Sequence, residues 1–374
     1  MSKKVAIIGA SYLQLPLVEK AKEMGIETHC FAWKDDAVCE NIADYFYPIS
    51  VTDKESILEI CKKVQIDAIT SIASDIAVPT ICYVAEHMEL ISNSYAVAQN
   101  ATDKYLMRKC FKANGVSSPL FYSNGDPILS IVSFPLIVKP TDRSGSRGVT
   151  MVNNRTELLM AIKRAEEESF SKQYIVEEYI EGIEVSVETI SWEGEHYILT
   201  ITDKVTTGAP YFVEIEHHQP SQLDEIIQQK IRQETIKALG ALNIEYGAGH
   251  VELKIDNEGN VFLIEIGARM GGDFIGSHLV PLSTGYDYLK AIINISLGQF
   301  DQPVINKMQY SGIFFICKET EKLLSAIDSK KHSKNIVKKE ILDGSLKEVF
   351  SSADRSGYYI YQSETSPINV VYEN

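Results

Sequence analysis

The sequence contains no long hydrophobic run, no cluster of cysteines and no excess of positive charge. No apolar segment approaches the roughly 18 residues that a membrane-spanning helix needs, and the first one, VAIIGA, is too short for a signal peptide. The six cysteines lack CxxC or Cys/His metal spacing. A formal net charge of −15 argues against a nucleic acid or an anionic membrane as partner. We therefore expect a cytoplasmic protein with free thiols.

The first strand and turn also lack a dinucleotide-binding fingerprint. The segment IIGASYLQLPLVEKAKEMG places a strand and a helix around Gly9, but the second and third glycines that let a pyrophosphate approach the helix do not follow. Short apolar strands alternate with helical stretches up to about residue 95, with helices predicted near Leu15 to Met24 and Lys54 to Val64. This pattern predicts a Rossmann-like parallel sheet without a bound dinucleotide.

The rest of the chain predicts further domains, because 374 residues exceed one ordinary core. From Thr102, a helix, the strand PLIVKP, a loop of small residues, a second helix and two strands form a small α+β unit. A third section has a strand, a long helix and a hairpin, and the residues beyond Gly298 form a short appended α+β subdomain. The predicted fold class is therefore α/β and α+β. We place the domains at residues 1–100, 101–190, 191–300 and 301–374.

One β-hairpin is predicted in the segment VELKI-DNEGN-VFLIEIGARMGG. A turn at residues 257–260 places Glu252 opposite Glu265. Two opposed carboxylates repel, and hard oxygen ligands point to a Mg²⁺ ion between them. The alternative is an exposed hairpin edge with an incidental pair of glutamates. The register also predicts an apolar core face made of Val251, Leu253, Ile255, Phe262, Ile264 and Ile266.

His250 falls on the same predicted face as the two glutamates. It is a candidate for orienting a substrate, and the alternative is a histidine packed beside the metal face. Arg269 follows the second strand within GARMGGD, where glycines permit a turn. A guanidinium in that place can bind a carboxylate or a phosphate with two hydrogen bonds.

A loop of small residues after the strand PLIVKP is a candidate phosphate site. Lys139 lies at the end of the strand, and Pro140 ends it by removing a hydrogen-bond donor. The backbone amides of the loop can wrap an anion, and its glycines are free to adopt positive φ. The alternative is a plain turn, but Lys139 directly ahead favours phosphate binding. The loop residues are Ser144, Gly145, Ser146, Arg147 and Gly148.

Two other segments carry charged groups. In QYIVEEYIEGIEVSVE, a strand edge can pair with an adenine ring, and a carboxylate such as Glu184 can accept both ribose hydroxyls; the alternative is an acidic hairpin. In ITDKVTTGAPYFVEIEHHQPS, Lys204 precedes a pair of histidines that lacks partners at zinc spacing. That segment is predicted to be either a substrate-facing loop or a surface loop.

The order of these motifs resembles the ATP-grasp superfamily over about residues 1–300. The carboxylate–amine ligase type is the one it resembles, similar to the L-amino acid ligases and to the ATP-grasp domain of carbamoyl phosphate synthetase. The matching segments include DKYLMRKCFKANGV, FPLIVKP, SGSRGV, VEEYIEGIEVSVE, HVELK and FLIEIGARMGG. The resemblance implies an N-terminal Rossmann-like pre-ATP-grasp domain, a small lid domain, a central domain and ATP held between two sheets.

The resemblance also implies roles for single residues. Lys104 and Lys139 would hold the α and β phosphates under the lid of residues 144–148, and Lys204 would lie near the γ phosphate. Glu184 would bind the ribose, and Arg269 would face the acyl phosphate. The adenine hinge would comprise Glu177, Glu178, Tyr179 and Ile180. The ligands of Mg²⁺ or Mn²⁺ would be Glu252 and Glu265.

The sequence departs from the family pattern beside the second glutamate. Many relatives carry Asn two residues after it, whereas this chain has Gly267. Water, phosphate or another group must then complete the metal shell. The number of bound metal ions is therefore open.

The implied activity is ATP-dependent activation of a small carboxylate as an acyl phosphate, followed by attack of an amine or amino acid, with ADP and phosphate as products. Acyl transfer to a thiol or a carrier protein is an alternative, as is carbamoyl-phosphate-synthetase-like activity, although that enzyme uses two ATP-grasp units. An NAD(P) oxidoreductase and a non-catalytic nucleotide-binding protein are alternatives from other classes. The missing glycines weigh against the first, and the paired glutamates weigh against both. A homodimer is left open.

Overall fold

A computed structural model gives the fold and describes residues 2–124, 126, 133–306, 308–322, 333–341 and 346–368. These residues form three β-sheets, the helices that pack on them and the connecting loops. Among the helices described, none is both long enough and apolar enough to cross a bilayer. The predicted mixed α/β and α+β fold class is confirmed.

The first sheet is parallel, as the alternation of strands and helices predicts. Its strands are β1 (Lys4–Ile8), β2 (Glu27–Phe31), β3 (Tyr45–Tyr47) and β4 (Ala68–Thr70). They lie in the order β3-β2-β1-β4. The connecting helices are α1 (Leu15–Glu23), α2 (Lys54–Val64) and α3 (Val78–Met88), with 3₁₀ helices at Val38–Asn41 and Asp75–Ala77. Val5 and Ile7 pack into one core cluster and Ala6 and Ile8 into another, so the central strand is buried on both faces.

Two helices link this sheet to the second one, namely α4 (Tyr95–Thr102) and α5 (Lys104–Ala113). Asp103 caps α5, because its carboxylate accepts a hydrogen bond from the Leu106 amide at 2.9 Å. The prediction of a helix starting near Asp103 is confirmed. The cap places Lys104 in the first turn, with its side chain buried.

The second sheet is small and antiparallel. It contains β5 (Phe121–Ser123), β6 (Leu136–Pro140), β7 (Thr150–Val152) and β8 (Tyr174–Glu178), in the order β5-β8-β6-β7. Helix α6 (Arg155–Glu168) covers one face by burying Leu158, Ala161 and Ala165. The loop of small residues lies between β6 and β7.

The third sheet has eight strands among the residues described. They are β9 (Ile183–Trp192), β10 (Glu195–Thr206), β11 (Glu214–Gln219), β12 (Gly247–Ile255), β13 (Val261–Gly267), β14 (Tyr310–Ile316), β15 (Ile336–Ile341) and β16 (Gly357–Ser363). The order is β13-β12-β9-β10-β11-β14-β16-β15, with antiparallel neighbours throughout. Strands from beyond residue 300 thus extend the same sheet. The four domain boundaries stay predictions.

Helices pack on both faces of the third sheet. Helix α7 (Glu225–Ala241) buries Ile231, Ala238 and Leu239 against β9, β12 and β13. The remaining helical segments are a π-helix (Ile275–Leu279), α8 (Val280–Thr284), α9 (Tyr288–Ser296) and 3₁₀ helices at Ser333–Asn335 and Ser352–Asp354.

The β12–β13 hairpin has the predicted register at one end. Glu252 pairs with Glu265 as predicted, and His250 pairs with Gly267. Beyond Glu252 the register shifts by one residue, so that Leu253 pairs with Leu263. The extra residue of β13 forms a β-bulge, which redirects side chains.

The predicted core face of the hairpin is wrong for two residues because of this bulge. Phe262 and Ile264 were expected in the core, but Val261 and Leu263 are buried there instead. Ile264 turns to the opposite side, next to Glu265. The bulge therefore adds an apolar side chain to the face that carries the two carboxylates.

Candidate active site

A cleft of about 160 Å³ separates the second sheet from the third. The second sheet contributes residues of β6 and β8, and the third contributes residues of β9, β12 and β13. Most residues singled out in the sequence line this cleft together. They are Lys104, Lys139, Ser144, Gly145, Ser146, Glu177, Glu178, Tyr179, Ile180, Glu184, Glu252 and Glu265.

Five of the singled-out residues do not line the cleft. Arg147 faces a neighbouring cavity. Gly148 packs against the β6 end, where an added Cβ would lie 2.8 Å from the Cγ of Pro140. Lys204, His250 and Arg269 lie behind the carboxylates and contact acidic groups. The loop of residues 144–148, between β6 and β7, bends sharply, since Gly145, Ser146 and Gly148 all have positive φ.

The opposed carboxylates each contact a buried lysine. Lys204 Nζ lies 2.7 Å from Glu252 Oε1, and Lys104 Nζ lies 2.7 Å from Glu265 Oε1. Lys104 Nζ also donates to the Arg143 carbonyl of the small-residue loop at 2.6 Å. Both glutamate side chains are 24% exposed and face the cleft. Two hard oxygen donors with open space beside them fit a divalent cation such as Mg²⁺.

Lys204 is surrounded by three carboxylates, because the strand register places it directly opposite Glu184. Its Nζ lies 3.1 Å from Glu184, 3.0 Å from Glu214 and 2.7 Å from Glu252. Burial alone would lower the pKa of Lys204, but these carboxylates raise it well above its ordinary value. The three glutamates approach closely enough to share an ion, and the single positive charge of Lys204 offsets part of their negative charge.

His250 forms an ion pair that was not anticipated. Strand pairing places it opposite Glu188 of β9, and Nδ1 of the ring contacts that carboxylate. Its Nε2 lies 3.4 Å from Glu252 Oε1. Burial alone would lower the pKa of His250, but Glu188 and Glu252 raise it to about 9. The ring is therefore protonated near neutral pH, donates a hydrogen bond to Glu188 and forms an ion pair with Glu252.

Glu252 is held ionised by these neighbours. Burial alone would raise its pKa, yet Lys204 and His250 keep the pKa well below its ordinary value. By contrast, burial raises the pKa of Glu184, although Lys204 opposes the shift. The cluster therefore keeps a negative charge on Glu252, the carboxylate expected to bind a cation.

A buried arginine that sequence reasoning missed lies under the second sheet. Arg108 of α5 is fully buried, and its Nη2 donates to the Ile264 carbonyl of the bulge at 2.7 Å. Its Nε lies 2.6 Å from Glu177 Oε1, in an ion pair without hydrogen-bond alignment. Glu177 Oε2 lies 2.6 Å from Lys139 Nζ. The carboxylate of Glu177 thus binds two cations, whereas its expected place was the adenine hinge.

Lys139 is affected by this arrangement. Burial lowers its pKa and the charge of Arg108 adds to the effect, although Glu177 opposes both. Lys139 is paired with Glu177 and also lines the cleft, where its side chain can contact an anion that enters. Little in the sequence indicates that Arg108 is buried, because it lies in a helix with several charged residues, YLMRKCFK.

The opposite end of the cleft is aromatic. Lys254 Nζ donates to the Ile180 carbonyl at 3.1 Å and lies 4.9 Å from the centre of the Tyr179 ring. The ring centre of Phe212 lies 6.0 Å from that of Tyr179, and Phe212 also lines the cleft. Ile137 of β6 and the bulge residue Ile264 add aliphatic walls. A flat heterocycle fits between such groups.

Arg269 pairs with an aspartate from the 3₁₀ helix that follows β4. Its Nε and Nη2 donate to the two oxygens of Asp75, each at 2.8 Å. A Cβ added at Gly267 would lie 2.7 Å from Asp75 Oδ1 and 3.0 Å from Arg269 Cζ. The glycine that departs from the family pattern therefore leaves room for this ion pair. Asp75 was not singled out in the sequence, because it is distant in the chain.

Comparison with known proteins identifies the central part of the chain. Residues 132–277 match the ATP-grasp domain. The alanine–anticapsin ligase of Bacillus subtilis is 28% identical over 287 residues, which cover 66% of this chain and 59% of the relative. The carbamoyl phosphate synthase large chain of a Thermoanaerobacter species is 25% identical over 68% of this chain and 24% of that one.

A solved structure covers nearly the whole fold. The L-amino acid ligase from Bacillus licheniformis has a TM-score of 0.81 and 22% identity, covering 97% of this chain and 94% of that one. The chain thus carries an ATP-grasp domain in an ATP-grasp fold, and the resemblance seen in the sequence is confirmed. The chain spans about three fifths of the length of the curated relatives it matches first.

Proposed function

We propose that this chain is an ATP-dependent ligase that activates a small carboxylate as an acyl phosphate and joins it to an amine. The observation that carries this proposal is the pair Glu252 and Glu265, directly opposite in the hairpin and facing a cleft with two buried lysines. A nucleotide-binding regulator has no need of two opposed carboxylates at the phosphate end. The names of the relatives, ligases for alanine and for L-amino acids, agree with the proposal.

ATP would lie with its base at the aromatic end and its phosphates at the lysines. Ile180 and Tyr179 would border the adenine, and Glu184 would accept ribose hydroxyls. Lys104 and Lys139 would bind phosphate oxygens, with the loop of residues 144–148 as a cover that excludes water. Lys204, which forms an ion pair with Glu252, would supply positive charge near the γ phosphate.

Glu252 and Glu265 would hold Mg²⁺, or Mn²⁺ in its place. The bound ion would neutralise charge on the phosphate oxygens. With Gly267 offering no side chain, water and phosphate oxygens would complete its shell.

The proposed reaction has two chemical steps, phosphoryl transfer to the carboxylate and attack of the amine on the acyl phosphate. An oxygen of the substrate carboxylate attacks the γ phosphorus, and the bond from that phosphorus to the bridging oxygen of ADP breaks. The amine nitrogen then attacks the acyl carbon, the acyl–phosphate bond breaks, and the nitrogen loses a proton. Arg269 would stabilise the oxyanion of this second step. Protonated His250 holds Glu252 in place rather than accepting that proton.

An ADP-release screen tests the proposal. Purified protein with ATP and Mg²⁺ is offered small carboxylates and amino acids in pairs with amines, and ADP and the amide product are measured. We expect ADP to form only when a matching acid and amine are both present. Formation of AMP, or of ADP with no added carboxylate at the same rate, would contradict the proposal.

A matched pair of variants ties the activity to the site. Glu265→Gln removes the charge that faces the cleft, whereas Glu258→Gln makes the same change at an exposed turn of the same hairpin. We expect Glu265→Gln to lose ADP formation and Glu258→Gln to retain it, with both variants keeping the wild-type melting temperature within a few degrees. Wild-type turnover by Glu265→Gln would show that the metal assignment is wrong.

A further inference from the structure

A second cavity, of about 680 Å³, adjoins the candidate nucleotide cleft. Lys104, Arg143, Ser144 and Glu265 line both spaces. The shared residues lie at the phosphate end of the cleft. A molecule in the second cavity would therefore approach the site at which the acyl phosphate is proposed to form.

The carboxylates on the walls of this cavity already have partners. Asp75 pairs with Arg269, and Glu265 pairs with Lys104. The other two, Asp103 and Asp142, accept backbone hydrogen bonds. Each of these four carboxylates thus has a partner within the protein, and Glu265 is in addition one of the two carboxylates proposed to hold Mg²⁺.

Two cations on the walls have no such partner. Within the described part of the chain, no carboxylate lies within 4 Å of Lys54 or of Arg147. Lys54 is fixed in position, since its Nζ donates to Tyr95 Oη at 3.0 Å and lies 4.3 Å from the centre of the Tyr83 ring. Its ammonium keeps two N–H donors for a ligand. In a chain of net charge −15, these two unpaired cations are a local site that favours an anion.

Exposed aromatic rings on the cavity walls add an apolar surface. The Trp33 side chain, which follows β2, is 53% exposed, and the Phe170 side chain, between α6 and β8, is 61% exposed. The cavity thus combines apolar surface with unpaired positive charge.

We propose that the second cavity binds the amine substrate and that this amine carries a separate anionic group, a carboxylate or a phosphate, which Lys54 recognises. The inference rests on the proposed ligase function. The amine nitrogen reacts at the acyl carbon beside Glu265, and the anionic group stays unchanged against the wall formed by α2. An amino acid, whose amino group reacts while its carboxylate remains free, has this chemistry.

Matched amines test the inference. With the carboxylate found in the ADP-release screen, KM is measured for L-amino acids against their primary carboxamides, and for phosphoethanolamine against ethanolamine. We expect the anionic member of one pair to have the lower KM. Which pair shows the difference distinguishes a carboxylate from a phosphate.

Variants of Lys54 separate recognition from stability. We expect Lys54→Met to raise KM for the anionic amine about tenfold, as the loss of a charge-assisted hydrogen bond implies, and to leave KM for its neutral match within about twofold. Lys54→Arg should keep the preference. Lys63→Met, an exposed lysine of the same helix, should behave as wild type.

Two results would overturn the inference. Equal KM values for the anionic and neutral amines of both pairs in the wild-type protein would exclude recognition of the anion. An equal rise in KM for both members of a pair in Lys54→Met would mean that the lysine only supports the fold. If no acid and amine pair yields ADP at all, the ligase function itself is contradicted, and that failure is distinct from these two.

Discussion

Asp75 and Arg269 form a two-point ion pair with both contacts at 2.8 Å, across 194 residues of sequence. The pair joins the 3₁₀ helix after β4 to the turn after β13, four residues beyond Glu265. Burial alone would raise the pKa of Asp75, but Arg269 lowers it. The arginine expected to act in acyl transfer is therefore held in place by the 3₁₀ helix that follows β4.

Replacing Arg269 should separate nucleotide binding from chemistry. Since the guanidinium contacts Asp75 rather than the cleft, we expect Arg269→Ala to bind ADP within about threefold of wild type. The role proposed for Arg269 in acyl transfer predicts a separate loss of about 100-fold in kcat, as for a lost oxyanion donor. Calorimetry with ADP and the ADP-release assay measure the two effects. Loss of ADP binding would instead place the arginine on the nucleotide.

Restoring the family's asparagine should disrupt this ion pair. A side chain at position 267 would meet Asp75 and Arg269, so we expect Gly267→Asn to lower the free energy of unfolding by about 1–3 kcal/mol, as overpacking does. Gly272→Ala is the control, because its added Cβ would lie 3.6 Å from the nearest atom. Urea unfolding gives both values.

A double variant checks that the cost arises from the ion pair. Gly267→Asn combined with Asp75→Ala removes the atom nearest to the new side chain. We expect the two changes together to cost less than the sum of the single changes. Additive costs would mean that the asparagine is rejected by something other than Asp75.

The His250–Glu188 pair should make stability depend on pH. The folded pKa of about 9 exceeds the usual value of about 6.5, so the stabilisation is complete below pH 6.5 and is lost as pH rises through 9. We expect the free energy of unfolding to fall by roughly 3 kcal/mol more for wild type than for His250→Gln over this range. Urea unfolding at several pH values tests this. Parallel pH curves would mean that the ring is neutral.

Arg108 should be essential for stability although its side chain does not line the cleft. Arg108→Met leaves the buried Glu177 with one cation, so we expect a loss of about 3–5 kcal/mol in unfolding free energy. Lys109→Met, exposed on the same helix, should change it by less than about 0.5 kcal/mol. Similar small effects for both variants would show that Glu177 is satisfied by Lys139 alone.

Local patterns predicted much of this molecule. The alternation of strands and helices was enough for the parallel sheet, and the apolar periodicity of the hairpin was enough to pair Glu252 with Glu265. The bulge at Ile264 could not be predicted from the sequence, because the apolar pattern of β13 is compatible with pairing in either register beyond the shift.

Contacts between distant segments lay beyond the sequence pattern. Asp75 and Arg108 reach the site only through the packing of three sheets, and nothing beside them in the sequence marks them. Glu188 carried a weak signal, since it shares the face of β9 with Glu184. A register between β9 and β12 was needed to place it opposite His250.

The most direct test of the acyl phosphate is isotope transfer. The carboxylate identified by the screen is labelled with ¹⁸O and turned over with ATP, Mg²⁺ and its amine, and the phosphate released is analysed by mass spectrometry. Attack of the carboxylate on the γ phosphorus predicts one ¹⁸O atom in each phosphate. Unlabelled phosphate, with amide formed, would contradict the central claim.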